Sequence, residues 1–426
     1  MQEPVEAKQE CPVCRTIIPV YSGYVTWCDK CGWNINPEQP DPPRGIFESV
    51  YASLGQKQSR ALLDRLKRAD TLKPRLTASK SLALIFAVVI YGFTLAFGVG
   101  GATLLIAGWP NPFAVAGGLL CIGIVWILRP RFSKLPDTFQ SQKELPTLYR
   151  LADTIGASLD ARRLTGIAIE EGFTAAFDRV GWQRKDMLYL GLPLWSTLED
   201  QEKVALIAHE LAHGVNGDLA RGFFIGSAMR ALANLYALLR PDHIWDSAAG
   251  IWGLVAIPFN LAMVGLAGLP WLGAYVLSHL LWRDSQRAEY LADLLAASTS
   301  GTNAMLSLME KLHFSSTFAL AVHRAALSKG IRFDLFDELD QLMMKVPQRE
   351  LERIKRVQQL EMSRLNATHP PTAYRIDLLR SHYVSHPKVE FPSSDFEQLE
   401  REMFPLRSKV QRKLEDMYRS RLYSLL

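Results

Sequence analysis

The segment from Ile207 to His213, Ile-Ala-His-Glu-Leu-Ala-His, carries residue types that bind and use a metal ion. In a helix, residues four apart lie on one face, so the imidazoles of His209 and His213 can reach the same ion. Tetrahedral zinc favours such a pair, and Glu210 could then act as the general base on a water held by the ion. The alternative is a helix whose two histidines make ordinary hydrogen bonds.

Two histidines leave a zinc ion short of a third protein ligand. The candidate is Glu289, in the segment Arg287-Ala-Glu-Tyr-Leu-Ala-Asp293. Glu289 and Asp293 are again four residues apart, so both can face the helix of the histidines. Glu289 would bind the metal, and Asp293 would hold the second ring nitrogen of a ligand histidine. Asp218 competes with Asp293 for that supporting role, and by spacing alone Glu289 could equally be a surface carboxylate.

Four of the five cysteines form two close pairs, Cys11-Pro-Val-Cys14 and Cys28-Asp-Lys-Cys31. The first 80 residues contain no apolar core of the length that a signal peptide needs, so a disulfide scaffold is not expected. The two pairs predict a structural zinc site with four cysteine ligands, and redox dithiols or free thiols are the alternative. Residues 1–45 are not notably basic, so docking to a protein partner or substrate is expected rather than nucleic acid.

Short strands and one helix are predicted around the histidine motif. Strand composition is found in three segments, 166–170, 173–177 and 187–195. A helix is predicted over 202–215. A strand followed by this helix is the arrangement in which the motif holds metal.

The third of these strands, 187–195, is expected to lie at the edge of its sheet. An extended substrate could pair with such an edge. The alternative is an ordinary core strand. The residues predicted to meet the substrate are Leu190, Gly191, Leu192 and Pro193.

Two long stretches of the chain contain no charged residue. Hydrophobic residues make up 48% of the sequence and charged residues 21%, and the net charge is +5. Nevertheless, no Asp, Glu, Lys or Arg lies between Lys80 and Arg129, or between Asp246 and Arg283. Such stretches argue against a purely soluble protein, and the small positive excess does not argue for nucleic acid.

The first charge-free stretch is long enough for two membrane spans, which we predict at 81–107 and 112–128. Trp109-Pro-Asn-Pro112 between them is typical of a turn. Basic residues flank both outer ends, so the positive-inside rule puts both ends in the cytoplasm. The alternative is a buried helical hairpin in a soluble protein.

The second charge-free stretch, 247–282, separates His213 from Glu289. These residues can share one ion only on the same side of a membrane, so the segment between them must cross it an even number of times. Two full spans with a turn need about 40 residues. A hairpin with one short arm or a re-entrant loop is therefore expected. Arg240 and Arg283 on the flanks agree with a cytoplasmic site.

These observations divide the chain into successive segments. The segment 46–70 has apolar residues at helical spacing and predicts a helix that lies near a membrane surface or in solvent. The predicted segments are 1–36, a zinc ribbon; 37–80, a linker and amphipathic helix; 81–129, a transmembrane hairpin; 130–240, the first part of a metalloprotease domain; 241–283, a second membrane hairpin; 284–380, its second part; and 381–426, a helical C-terminal region.

Four motifs occur in the order in which one known family carries them. They are Gly191-Leu-Pro-Leu194; His209-Glu-Leu-Ala-His213 with Asn216-Gly-Asp218; Glu289-Tyr-Leu-Ala-Asp293; and Thr368-His-Pro-Pro-Thr372 with Arg375-Ile376. Over roughly residues 80–380 the chain resembles the HtpX and CAAX prenyl protease family of membrane zinc metallopeptidases. The cysteine pairs lie outside this resemblance.

The resemblance implies a gluzincin-type domain with Glu289 as the third zinc ligand and two crossings in the second charge-free stretch. It also suggests His369 as the donor to the developing oxyanion, with Arg375 behind it. The alternative for His369-Pro-Pro371 is a rigid turn. The family usually has Arg three residues before the ligand Glu, whereas this chain has Gln286, so no role is transferred from that Arg.

The expected fold is a mainly α membrane protein: a zincin-like (α+β) metalloprotease domain with transmembrane helical hairpins and a small N-terminal zinc ribbon. The expected function is a zinc-dependent endopeptidase in the cell (inner) membrane. One catalytic and one structural zinc ion, and a cytoplasmic N-terminus and active site, are predicted. Membrane or misfolded proteins are the expected substrates, and prenylated proteins are a variant of this hypothesis. The alternative is a membrane-tethered zinc-ribbon adaptor with a secondary or inactive protease domain.

Overall fold

The computed structural model describes residues 7–37, 46–68, 78–130, 135–216, 223–240, 251–328, 333–360 and 369–424. Helices dominate these residues, and the strands form two small sheets. The expectation of a mainly α chain is confirmed.

In chain order the elements are β1 (Ala7–Glu10), β2 (Ile17–Val20), α1 (Ile46–Lys67), α2 (Ala78–Ala107), α3 (Pro112–Leu128), β3 (Phe139–Gln140), α4 (Pro146–Ser158), β4 (Gly166–Glu170), β5 (Ala175–Val180), β6 (Lys185–Gly191), α5 (Leu192–Ser196), α6 (Asp200–Val215), α7 (Phe223–Leu239), α8 (Ile251–Ser300), α9 (Thr302–Lys311), a 3-10 turn (Leu312–Phe314), α10 (Ser315–Leu327), α11 (Leu335–Met344), α12 (Gln348–Leu360), α13 (Thr372–Ser381) and α14 (Ser393–Tyr423).

The first charge-free stretch forms the helical hairpin that its sequence predicts. Asn111 ends the turn and caps α3, because its side-chain oxygen accepts hydrogen bonds from the backbone N–H groups of Phe113 and Ala114. The two helices approach closely where glycines face each other. A Cβ on Gly101 would lie 3.1 Å from the carbonyl oxygen of Gly118. Small residues at such a crossing are typical of helix pairs in membranes.

Within the part of the chain that the structure describes, two helices are long and apolar enough to cross a membrane, namely α2 and the part of α8 from Asn260 onward. Only 17% of the most apolar window of each helix is buried within the chain. The exposed side chains there include Phe93, Leu95 and Leu269, which are each more than 60% exposed. A helix in the core of a soluble protein would instead be covered by its neighbours, so these two helices are candidate membrane spans.

The second charge-free stretch does not turn back on itself in the described residues. From Ile251 to Ser300 it is one continuous helix, α8, so the hairpin predicted for 241–283 is wrong over its described part. Pro258 and Pro270 occur within α8 without ending it, as prolines can in apolar helices. Among the described residues, α7 packs against α8, and α2 lies against both.

The second sheet has the strand order β3-β4-β6-β5. Strands β4 and β6 are parallel, and the other two pairs are antiparallel. Ile167, Leu188 and Leu190 on the sheet are fully buried against Ile207 of α6, in a core to which α4 also contributes. The first strand and the helix predicted around the histidine motif are confirmed, and the second strand begins and ends slightly later than expected. The third, predicted over 187–195, is confirmed only as far as Gly191, because residues 192–196 form the helix α5.

The C-terminal helix α14 belongs to the same core. Phe396, Leu399 and Met403 are at most 3% exposed and pack in the cluster that contains the sheet and α6. At the edge of this contact, Lys203 Nζ lies 2.8 Å from Glu400 Oε1. The predicted helical C-terminal region therefore helps to hold the helix that carries the histidines.

Candidate active site

Helix α6 carries the histidines into the core. Its first turn is fixed by a capping box, in which Glu199 accepts from the N3 backbone and the Glu202 carboxylate accepts from the backbone N–H of Glu199 at 2.7 Å. Every residue from Glu202 to His213 is buried. The Nε2 atoms of His209 and His213 lie 3.3 Å apart. Zinc bonds of about 2.0–2.1 Å would put two tetrahedral ligand nitrogens about 3.3 Å apart, so the pair fits the ion.

Glu289, on α8, is the third side chain of the candidate metal site, and 75 residues separate it from His213 in the sequence. Its Oε1 lies 3.6 Å from Nε2 of His213, and its Oε2 lies 3.7 Å from Nε2 of His209. The three side chains are buried, and their donor atoms all lie within 4.8 Å of one another. Two imidazoles and one carboxylate form a donor set that zinc favours in sites with an open position. The arrangement is therefore a possible metal-binding site whose donors suit zinc.

Asp293 and Arg375 support the same group from behind. Oδ1 of Asp293 lies 3.2 Å from Nδ1 of His209, which is the contact that the spacing of Glu289 and Asp293 predicts. The guanidinium of Arg375 donates two hydrogen bonds to Asp293, from Nη2 at 2.6 Å and from Nε at 2.8 Å. Burial lowers the pKa of His209, but the adjacent negative charge of the Asp293 carboxylate outweighs burial, so the pKa is raised. A proton held on Nδ1 leaves the Nε2 lone pair directed at the metal position.

His369 lies at the rim of this site, with 59% of its side chain exposed. Its Nδ1 is 3.0 Å from Oε2 of Glu289, so the ring contacts the third candidate ligand. Arg375 lies deeper, with Nη2 4.0 Å from the same oxygen. Glu210 is buried on α6, directly after His209. Asp218, the other candidate for the supporting role, lies outside the described residues.

The predicted substrate strand is wrong in its placement. The part of 187–195 that is extended belongs to β6, which lies between β4 and β5 and is not an edge. A Cβ on Gly191 would overlap the carbonyl oxygen of Gly172, so the turn before β5 covers this position closely. Leu192 and Pro193 begin the helix α5. Among the described strands, the edge beside α6 is β5, which the sequence reading did not single out.

The four paired cysteines also come together. Cys11 Sγ lies 3.6 Å from Cys31 Sγ, and Cys14 Sγ lies 3.5 Å from Cys28 Sγ. Zinc–sulfur bonds of about 2.3 Å would put tetrahedral sulfurs about 3.8 Å apart, so the cluster fits the four-cysteine site that the sequence predicts. Hydrogen bonds with Thr16 lower the pKa of the Cys14 thiol to about 6. The thiolate form, which binds metal, is thus favoured there at neutral pH.

The ribbon formed by β1, β2 and the cysteines is docked on α12 of the same chain. Trp27 is 1% exposed, and the guanidinium groups of Arg349 and Arg356 lie 4.8 and 5.0 Å from its ring. Arg349 also donates to the Trp27 carbonyl at 2.8 Å and to Asp29 at 3.1 Å. One face of the ribbon is therefore occupied within the chain. A protein partner for the ribbon stays a prediction.

Reversing the charge of Arg349 to Glu should release the ribbon from α12. The change removes two charge-assisted hydrogen bonds, each worth about 1.5–3 kcal/mol, together with a cation–π contact. The backbone amides of α12 should then exchange with deuterium about tenfold faster or more, measured by mass spectrometry. Glu352→Lys, an exposed reversal on the same helix, is the control. The double variant Asp29→Arg/Arg349→Glu should recover part of the protection, and no recovery would contradict a direct ion pair.

A pair of histidines one turn apart on a buried helix, together with a glutamate from a second helix, is the ligand arrangement typical of zinc metallohydrolases. Residues 147–382 match the sequence profile of Peptidase family M48. Because this match covers more than half of the chain, the chain belongs to peptidase family M48 and is a metalloprotease of the HtpX-like kind. M48 peptidases are zinc-dependent.

Named relatives agree with this assignment. The protein called "Protease HtpX homolog" from Pyrobaculum calidifontis is 22% identical over 303 residues, which is 70% of this chain and 84% of that protein. "Protease HtpX" from Stutzerimonas stutzeri is 25% identical over 260 residues, which is 58% of this chain and 84% of that protein. No solved structure matches the chain. Residues 7–67, with the ribbon and α1, lie outside the family match.

Proposed function

We propose that the chain is a membrane-embedded, zinc-dependent endopeptidase. The observation that carries the proposal is the convergence of His209, His213 and Glu289, whose donor atoms meet although α6 and α8 are far apart in the sequence. When bound, zinc would polarise both a water molecule and the carbonyl of the scissile peptide bond. The four cysteines would hold a second, structural zinc ion, because all its positions would be filled by protein.

Side chains near the metal position would supply the other parts of the reaction. Glu210 would accept the proton of the attacking water and pass it to the leaving amine. Asp293, held by Arg375, would fix the ring of His209 so that Nε2 stays directed at the metal. His369 contacts Glu289 through Nδ1, and its Nε2 would donate a hydrogen bond to the oxyanion of the substrate when both ring nitrogens carry a proton.

The open side of β5 is the part of the described sheet that could receive an extended substrate. This strand has one neighbour in the sheet, β6, and it lies against α6 beside the histidines. Its backbone could pair with a polypeptide main chain whatever the side chains of that polypeptide are. Such pairing would suit an endopeptidase that acts on unfolded segments of membrane or misfolded proteins.

We place the enzyme in the cell (inner) membrane with its active site on the cytoplasmic side. The little-buried apolar helices α2 and α8 support a membrane location. With α3 and α7 they would cross it four times, and an even number of crossings keeps α6 and the charged half of α8 on one side. Arg283 follows the apolar part of α8 on that side, as the positive-inside rule requires for a cytoplasmic face, whereas Arg240 at the far end of α7 would lie on the other side.

Sealed vesicles can test the activity and the orientation together. Inverted vesicles that contain the chain should cleave added casein, EDTA should abolish the cleavage, and zinc should restore it. Right-side-out vesicles should cleave casein only after detergent opens them, because both casein and EDTA stay outside. Cleavage by intact right-side-out vesicles would contradict the orientation. A zinc-loaded chain in detergent that cleaves neither casein nor a model membrane protein would favour the adaptor.

A further inference from the structure

The N-terminal helix α1 lies against α8, which carries Glu289, and against α13, which carries Arg375. Leu62, Leu63 and Leu66 are each at most 4% exposed. They form one apolar cluster with Tyr290 of α8 and Leu378 of α13. The sequence predicted α1 as a helix near a membrane surface or in solvent, whereas its leucine face is buried on the protease domain. The helix thus contacts α8 at the residue directly after Glu289.

A buried hydrogen bond joins α1 to the same turn of α8. Ser59 and Gln286 are both fully buried, and Ser59 Oγ donates to Gln286 Oε1 at 2.9 Å. Gln286 precedes Glu289 by three residues, so the two are neighbours on the helix surface. A buried amide oxygen deprived of a hydrogen-bond donor is costly, so this contact favours one position of α8 relative to α1. Gln286 and Tyr290 are four residues apart and lie on one face of α8, the face that α1 covers.

The end of α1 contacts α13 next to the arginine that supports the site. Lys67 Nζ lies 2.5 Å from Asp377 Oδ2. Asp377 and Leu378 follow Arg375 by two and three residues on α13. One face of α1 therefore touches the residues beside Glu289 and the residues beside Arg375. The two helices that this face joins supply the third candidate ligand and the guanidinium that holds Asp293.

We propose that α1 is an intramolecular brace that holds Glu289 and Arg375 in register, with Ser59 and Leu66 as positioning residues for metal binding. The proposal rests on the proposed function, because it takes His209, His213 and Glu289 as the metal ligands. It goes beyond the family assignment, since α1 lies outside the residues that match family M48. Without the brace, the carboxylate of Glu289 has more freedom relative to the two imidazoles, and the metal is held less tightly.

Cobalt binding to the full-length chain in detergent tests this brace without relying on peptidase activity. The two metal sites can be followed separately, because four thiolates give a charge-transfer absorption that histidine and glutamate ligands do not. Ser59→Ala and Leu66→Ala should each weaken cobalt binding at the histidine–glutamate site about 3- to 10-fold in competition with a chelator. This range lies below the 10–100-fold typical of groups that contact a ligand directly. The four-cysteine site serves as an internal reference, and its affinity should not change.

Matched controls lie on the exposed face of α1. Gln58→Ala and Arg65→Ala are one position away from the tested residues and exposed, so they should leave both affinities unchanged. A double-mutant cycle with Gln286→Met should be non-additive, because Ser59 and Gln286 act through one hydrogen bond. Circular dichroism should show the same helix content in Ser59→Ala as in the unmodified chain. Ser59→Ala removes a single oxygen, so it still tests the brace if Leu66→Ala fails to fold.

Two results would overturn the brace, and they can be told apart. If the unmodified chain binds cobalt at the histidine–glutamate site and folded Ser59→Ala binds it equally tightly, α1 does not position the ligands. If the unmodified chain binds cobalt only at the cysteines, the proposed metal centre itself is wrong and the brace fails with it. Weaker binding in Ser59→Ala, with unchanged binding in Gln58→Ala, is the expected result.

Discussion

Replacing Glu210 by Gln should abolish peptide cleavage and leave the metal in place. The amide has nearly the same shape as the carboxylate, so the buried face of α6 should keep its packing. It cannot accept a proton from water, and general acid–base groups contribute about 10²–10⁴-fold to rate. We expect the rate of casein cleavage to fall by at least this factor, measured with purified protein in detergent.

The metal content of the Glu210→Gln variant should equal that of the unmodified chain, because Glu210 is not one of the three converging donors. Glu397→Gln makes the same chemical change at an exposed position of α14 and should leave cleavage unchanged. Undiminished cleavage by Glu210→Gln would refute the proposed role of this residue. Loss of metal would show instead that Glu210 helps to hold the site together.

Replacing Asp293 by Asn should weaken metal binding and destabilise the fold. The carboxylate is fully buried, contacts His209 at 3.2 Å and accepts two hydrogen bonds from Arg375. Removing its charge leaves the guanidinium of Arg375, which is 11% exposed, without a full counter-charge. Removing one partner of a buried ion pair costs about 3–5 kcal/mol. Loss of a group that orients a ligand histidine lowers metal affinity about 10–100-fold.

Chelator competition and thermal unfolding measure these two effects of Asp293→Asn separately. Asp416→Asn is the matched control, because Asp416 is 78% exposed and its contact with Arg419 is a surface pair 3.9 Å long. Such pairs contribute about 0–1 kcal/mol, so this variant should behave like the unmodified chain. If Asp293→Asn matched Asp416→Asn in both measurements, Asp293 would not orient His209.

Local patterns in the sequence were sufficient to predict several parts of this structure. The spacing of His209 and His213 and the continuous apolar composition of α2 and α3 determine local geometry, because helix periodicity is a property of the backbone. The cysteine pairs likewise predict their own convergence, since two short loops carry all four donors. Glu289 was a candidate by spacing, and the resemblance favoured it as the third ligand. Its position beside the histidines is a feature of the folded chain.

Features that depend on the relative placement of distant elements were missed or wrong. Strand order cannot be read from the alternation of side chains, because an edge strand and an internal strand show the same alternation. For this reason β6 was predicted as an edge strand, whereas the edge position of β5 was not predicted. The apolar composition of 247–282 is compatible with the first part of one continuous helix as well as with a hairpin. In the folded chain, the continuous helix α8 packs against α2 and α7.

The sequence by itself determined which residues could bind a metal, which segments are apolar enough for a membrane, and that the chain carries a cysteine ribbon outside the family domain. The tertiary structure decided that Glu289 faces the histidines, that α1 and the ribbon dock on the protease domain, and that β5 rather than β6 is the edge strand beside α6 in the described sheet. Helical faces and ligand spacings arise from bonds and contacts between residues close in the chain. Docking and strand order depend on contacts between residues as far apart as Asp29 and Arg349, for which no local pattern exists.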